Sequence, residues 1–300
     1  MWRTFSRPSA FVLTSVLLMP MGLVVGCGGS SGQPDGEDPR PLVVTSIFPV
    51  GDLVQTIVGD QVRVEVVLPP GASPATFDVT PRQIQAFGEA SIFIMIGGGL
   101  DEWLARLPEA SGGNPSVVRL SEGIPLLAGE EEDHEHGAEG GHAHAAGNPH
   151  IWLDPVMVRD RLVPKLEGAL VDVFPEAVET ILAGAQRLTD SLSVLDEEIR
   201  ESLKPLGNRA LITTHAAWSY FALRYDLEEA GVIHAHPGQE PSGRELAALT
   251  EVARSKGIPC LFTEPQLGEV ALAAIATELD LPTRMLDPLG GPEAEGRKTY

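Results

Sequence analysis

The chain has 300 residues, enough for about two domains, and it carries 21 Lys and Arg against 42 Asp and Glu, a formal net charge of −21. A field of that sign repels phosphate backbones and anionic headgroups, which argues against nucleic-acid and electrostatic membrane-surface binding and points to cations. With 43% hydrophobic residues and a mean hydropathy near zero, the chain can bury a sizeable core and is neither a disordered acidic tail nor a polytopic membrane protein. Of its eight His, five (His134, His136, His142, His144 and His150) fall within the 21 residues from Glu130 to His150.

Arg3 and Arg7 open the chain, and Ala10 to Val25 follows as a mostly apolar stretch broken by Thr14, Ser15 and Pro20. It is short for a membrane span and reads as an export signal over residues 1–26. The stretch ends in Leu23-Val24-Val25-Gly26-Cys27, which resembles the lipobox of bacterial lipoproteins. That resemblance implies that Cys27 is acylated and becomes the mature N-terminus; an ordinary secretory peptide with an incidental Cys is the alternative. Removing residues 1–26 takes two Arg and no acid, leaving 19 basic and 42 acidic groups, a net −23. Residues 27–40 are rich in Gly, Ser, Pro and acids, with nothing to bury, and read as a flexible tether. With Cys27 lipidated, Cys260 has no disulfide partner, and its apolar setting from Ile258 to Phe262 reads as a buried, inert thiol.

From Pro41 the chain alternates short β-rich runs with helical patterns. Leu42 to Phe48 predicts a strand, Val50 to Val58 a helix stopped at Gly59, and Val62 to Leu68 a second strand ending in Pro69-Pro70-Gly71. Pro81 to Phe87 predicts a helix, and Ser91 to Ile96 a third strand ending in Gly97-Gly98-Gly99. Nearly all-apolar strands separated by helices mean a parallel sheet covered on both faces. Asn148 to Pro155 then precedes a helix leading to the longest helical pattern. After Pro175, apolar residues recur from Val178 to Leu203 in steps of three or four, interrupted only by Gly184 until Pro205. About 28 residues at 1.5 Å each span about 40 Å, long enough to serve as a spine. A second series follows: strand Arg209–Thr213, helix Ala217–Tyr225, strand Gly231–Ile233, helix Gly243–Lys256, strand Pro259–Thr263, helix Gly268–Leu279 and strand Thr283–Leu286. The expected fold class is α/β, with two doubly wound parallel-sheet lobes (41–172 and 206–300) joined by a long backbone helix (173–205). A single rigid helix between lobes permits less hinge closure than two or three flexible crossovers.

Functional groups in such folds gather beyond the carboxyl ends of strands. There the sequence places His215, after Thr213-Thr214, Glu264, in Thr263-Glu264-Pro265, and Asp287, in Met285-Leu286-Asp287-Pro288. His150 stands before the helix leading to the spine. Two neutral imidazoles and a carboxylate form a ligand set that zinc accepts and manganese tolerates.

Five ordered stretches carry a family resemblance: Asn148-Pro-His-Ile-Trp-Leu-Asp-Pro155, His215-Ala-Ala-Trp-Ser-Tyr-Phe221, Glu240-Pro-Ser242, Phe262-Thr-Glu-Pro-Gln266 and Leu286-Asp-Pro-Leu-Gly290. Together, over about Pro41 to Gly290, they resemble the solute-binding lipoproteins of zinc and manganese ABC importers. The resemblance implies two α/β lobes with the metal in the cleft between them, and His150, His215 and Asp287 match the family's ligands. It further implies an ABC permease and its ATPase as partners, a monomer lipid-anchored outside the cytoplasmic membrane or in the periplasm, and a final helix beyond Tyr300, where this sequence stops.

One ligand position departs from the pattern. The loop after the second strand, Gly71-Ala-Ser-Pro-Ala-Thr-Phe-Asp78, has Ala75 where the family carries its first His. Water, a carboxylate such as Asp78 or Glu264, or a His from the His-rich stretch are the alternatives for the fourth position, and lower affinity or an altered metal preference follows.

Residues 130–147 hold six acids and four His with no Lys or Arg, a composition that cannot pack. Their paired His-x-His spacing suits weak zinc recruitment through His134, His136, His142 and His144; a solvated insertion without function is the bland alternative. His234 and His236 form another such pair, undecided between rim ligand and exposed turn. The predicted function is capture of zinc, with manganese as the alternative metal, weakening below about pH 6.5 as free imidazoles protonate. Loop ordering near His150 and Asp287, rather than lobe rotation, then signals the loaded state. The competing readings are a zinc-buffering or adhesin lipoprotein without a transporter, and a zinc hydrolase using Glu264 as base.

Overall fold

The computed structural model describes residues 38–111, 115–129, 147–234, 239–268, 270–292 and 299–300. The signal segment with Cys27, the stretch with His134, His136, His142 and His144, and His236 lie outside the described residues.

Strands β1 (Leu42–Thr45), β2 (Arg63–Val66), β3 (Ile92–Met95) and β4 (Ser116–Arg119) form one all-parallel sheet in the order β2-β1-β3-β4. Val43 of β1 sits opposite Val64 on one side and Ile92 on the other. Every residue of β1 and β3 is buried, as central parallel strands covered on both faces must be. β3 runs into Gly97-Gly98-Gly99, all with positive φ (78°, 64° and 88°). A Cβ at Gly97 would come within 2.9 Å of Ser121 Oγ. The turn lets Asp101 fold back and accept the amides of Ile96 (2.8 Å) and Gly97 (2.7 Å). Burial pushes the Asp101 carboxyl up to about 6, against the lowering effect of those two amides.

Helix α1 (Phe48–Val58) stops at Gly59, whose φ is 59°. Helix α2 (Pro81–Ala86) starts from a capping box between Thr80 and Gln83. The structure adds two elements that the sequence reading did not include, helix α3 (Arg106–Ser111) and edge strand β4. Both are too short to show a period, and α3 carries Pro108. A short α4 (Pro155–Met157), a π-helical turn over Val158–Leu162 and α5 (Val163–Val173) lead through a 3₁₀ turn at Pro175–Ala177 into α6 (Val178–Leu203). At 26 residues α6 is about 39 Å long. Its one glycine explains itself, since a Cβ on Gly184 would lie 2.1 Å from the Ile57 carbonyl oxygen. Only a bare Cα lets α6 cross α1 that closely. Toward the other end of α6, the Arg200 guanidinium stands over the Tyr225 ring at 5.3 Å.

The second half comprises β5 (Ala210–Thr213), α7 (Ser219–Arg224), β6 (Glu228–Val232), α8 (Gly243–Lys256), β7 (Leu261–Thr263), α9 (Val270–Leu279) and β8 (Thr283–Met285). Its strands form two parallel pairs, β5-β6 and β7-β8. β7 lies beside β5 without a ladder; the Thr214 hydroxyl donates to Phe262 O across the gap at 2.8 Å. Helix α8 has the bounds its sequence predicts, because a Ser242–Glu245 capping box opens it and Gly257, in left-handed conformation at φ 61°, closes it. Cys260 is half-buried rather than fully buried, and burial pushes its free thiol up.

Two apolar cores result. The larger packs β1 and β3 against α1, α5 and α6, and the smaller gathers Ile212, Ile233, Leu261, Leu272 and Ile275. No described helix is long and apolar enough to cross a membrane.

Candidate metal centre

The segment Asn148–Asp154 keeps Ile151 and Trp152 in the first core and ties itself to the second half at every other residue. Asn148 donates through Nδ2 to Ala216 O (2.7 Å), Trp152 through Nε1 to Pro288 O (2.8 Å), and Asp154 pairs with Arg224 through both oxygens (2.8–3.0 Å). Asp154 also caps α4 by accepting from Val156 N and Met157 N. Between these ties stands His150, buried, its ring against Trp152 at 5.1 Å. The side-chain oxygen of Asn148 faces both the amide of His150 (3.0 Å) and its Nδ1 (2.9 Å). Asn148 therefore orients His150 with one end and holds the loop of His215 with the other.

His215 follows β5 and is gripped by Glu264 from the end of β7. The His215 amide donates to Glu264 Oε1 (3.3 Å), and its Nδ1 lies 2.7 Å from Oε2. That second contact is out of line for a well-formed hydrogen bond, yet a lone pair facing a carboxylate at this distance would be repulsive, so Nδ1 carries the proton. Behind it, Glu229 accepts from the hydroxyls of Ser219 (2.5 Å) and Thr213 (3.1 Å). Burial raises the Glu229 carboxyl, with those hydroxyls and His215 pulling it back down.

The two rings meet Nε2 to Nε2 at 3.2 Å. With Nδ1 of each ring turned to an oxygen, the two rings in their neutral forms would present lone pairs to each other, an arrangement that a metal ion or a shared proton between them relieves. Two zinc–nitrogen bonds of about 2.0–2.1 Å at a tetrahedral angle would place their nitrogens about 3.3 Å apart. The pair therefore has the spacing and the tautomers of a metal-binding pair.

Around it lies a cleft with about 540 Å³ of empty space, part of it open to solvent, lined by His150, His215, Glu264, Ala75 and His234 among others. The Ala75 loop is pinned to this wall by Trp103, which donates to Pro74 O (3.0 Å) and meets Phe77 edge-on at 4.9 Å. Asp287 stands beside Pro288 and Leu289, which line the cleft, and its Oδ1 accepts from Gln266 Nε2 (2.8 Å) and Leu289 N (3.1 Å). Asp78 is not brought to the site: it is exposed, with Arg106 at 3.9 Å, because its side chain leaves the loop on the solvent side. Among the described residues, no group of three or more His, Cys, Asp or Glu is arranged to hold a metal ion by itself. Sequence reasoning singled out both facing imidazoles but missed Asn148 as the residue that orients one of them. The signal available was its spacing, two residues before His150 in the same motif.

Residues 43–300 match the family described as zinc-uptake complex component A, periplasmic. The chain is 29% identical over 289 residues to the high-affinity zinc uptake system protein ZnuA of Bacillus subtilis, covering 95% of this chain and 89% of that one. It is 28% identical over 279 residues to the zinc-binding lipoprotein AdcA of Streptococcus pneumoniae, covering 92% of this chain but only 54% of AdcA. Among solved structures, a zinc-bound ZnuA lacking residues 138–173 of its own numbering superposes with a TM-score of 0.75 at 29% identity, covering 86% of this chain and 94% of that one. The chain therefore belongs to the family of periplasmic zinc-uptake component A proteins.

Proposed function

We propose that this chain captures zinc outside the cytoplasm and delivers it to the permease and ATPase of an ABC importer, with His150 and His215 as ligands and Asp287 as the carboxylate that joins them. Manganese is the alternative cargo. The observation that carries the reading is the 3.2 Å approach of two imidazole Nε2 atoms whose Nδ1 atoms are already engaged. Capture rather than catalysis is supported by Glu264, the base that the hydrolase reading requires, being committed to the ring and amide of His215. The family's placement outside the cytoplasm agrees with the export signal, and the lipid at Cys27 would keep the protein near its permease.

Titration of the metal-free protein with zinc and with manganese tests this. Zinc binds at one tight site, and His150→Ala or His215→Ala weakens it by more than about 100-fold, beyond the 10- to 100-fold expected of an orienting partner. A wild-type protein that takes up neither metal overturns the proposal.

A further inference from the structure

Position 75 is the one place where the cleft lacks a ligand that the family pattern supplies, and Ala75 nevertheless lines the wall. Its methyl group cannot coordinate a cation. The same cleft is lined by a third imidazole, His234, only 6% exposed. His234 follows β6, where its amide donates to Thr214 O at 2.8 Å, so the parallel pairing of β6 with β5 sets it beside the residue that precedes His215. Its Nδ1 lies 3.0 Å from Gln239 O, an acceptor only, so Nδ1 bears the proton and Nε2 the lone pair. That Nε2 is buried and has no hydrogen-bond partner. A buried acceptor without a partner is destabilising and calls for a reason. The tautomer is that of His150 and His215, with Nδ1 turned to an oxygen and Nε2 left for a metal.

We infer that His234 supplies the imidazole missing at Ala75, so that this chain completes its zinc site from the loop after β6 instead of the loop after β2. The inference rests on the capture reading above and adds to it the origin of one ligand. It also bears on metal preference, because a third imidazole favours zinc, whereas water or a carboxylate in that place suits manganese better.

The test uses the full chain carrying His134→Gln, His136→Gln, His142→Gln, His144→Gln and His236→Gln, which leaves His150, His215 and His234 as its only imidazoles. At one equivalent of zinc, X-ray absorption is expected to count three imidazoles, and two once His234→Ala is added. Zinc affinity, measured by competition with a chelator, should fall by at least about 100-fold in His234→Ala, and Ala75→His in the same chain should restore most of it. Should His234→Ala not fold, the imidazole count of the parent decides the matter alone, since only His150, His215 and His234 remain to supply three. Two imidazoles in the parent, or an affinity changed less than about threefold in His234→Ala, overturn the inference and leave zinc capture standing. A parent chain that binds no zinc overturns both.

Discussion

The two halves of the fold hold their share of the site by different means. In the first, Ile92, Phe93, Ile94 and Met95 have no exposed surface, and the sheet is clamped between α1, α5 and α6. In the second, the strands pair only two by two, β8 is exposed along its whole length, and the apolar core is much smaller. A side chain in the first half can be fixed by packing alone. His215, in the second, is fixed by polar contacts instead, the grip of Glu264 and the reach of Asn148 to Ala216 O, while Asp154 ties down Arg224 of α7. Where apolar burial is thin, hydrogen bonds with defined direction take over the positioning, from Glu264 within the second half and from Asn148 across the cleft.

Breaking those cross-ties should have the largest effect. Arg224→Ala strips the buried Asp154 carboxylate of its bidentate partner. Removing one side of such a pair costs about 3–5 kcal/mol, and the two amides that remain on Asp154 put the expected loss at the lower end, about 3 kcal/mol in urea unfolding. A loss below about 1 kcal/mol would mean that the second half does not lean on this tie.

The first half carries a pH-dependent term of its own. Asp101 titrates near 4 when unfolded and about 6 when folded, so between those values the folded state holds a proton that the unfolded chain has released. Its contribution is therefore greatest below about pH 4 and declines as pH rises to about 6, by on the order of 2–3 kcal/mol. Unfolding midpoints of wild type and Asp101→Asn across pH 4–7 should diverge over that window; parallel curves would contradict the assignment.

Gly184→Ala sharpens the contrast with a smaller effect. The added methyl meets the Ile57 carbonyl at 2.1 Å and forces α6 away from α1, at a cost of about 1–3 kcal/mol. Hydrogen exchange should record the loosening in α1 and α6 and leave α8 protected; uniform loosening would argue against the separation into two cores.

Much of this was legible in the sequence where the signal is local. Helix α8 could be read to the residue because its two caps are sequence patterns, and α6 to within a few residues because its apolar stripe runs for seven turns with Gly184 as its single interruption. Strand β4 was not, since four residues at a sheet edge show no period, and they acquire their partners only when β3 is in place. Similar limits apply to the site. His215 stands out by its place after a strand end and His150 by the motif around it, whereas the worth of His234 depends on being buried in that same cleft, a property of the assembled fold. The reverse error arose at Asp78, where sequence proximity to the missing ligand suggested a donor that the loop turns outward.

The alternation of Asn148, His150, Trp152 and Asp154 has a consequence for how this segment tolerates change in length. Each of the four reaches its partner only from its own place in a spacing of two. A substitution removes a single tie, but inserting or deleting one residue anywhere among them moves every tie beyond that point out of reach at once. Loops elsewhere on the surface absorb added residues at little cost; this one carries its information as a count, and relatives that differ freely around it are expected to keep its length.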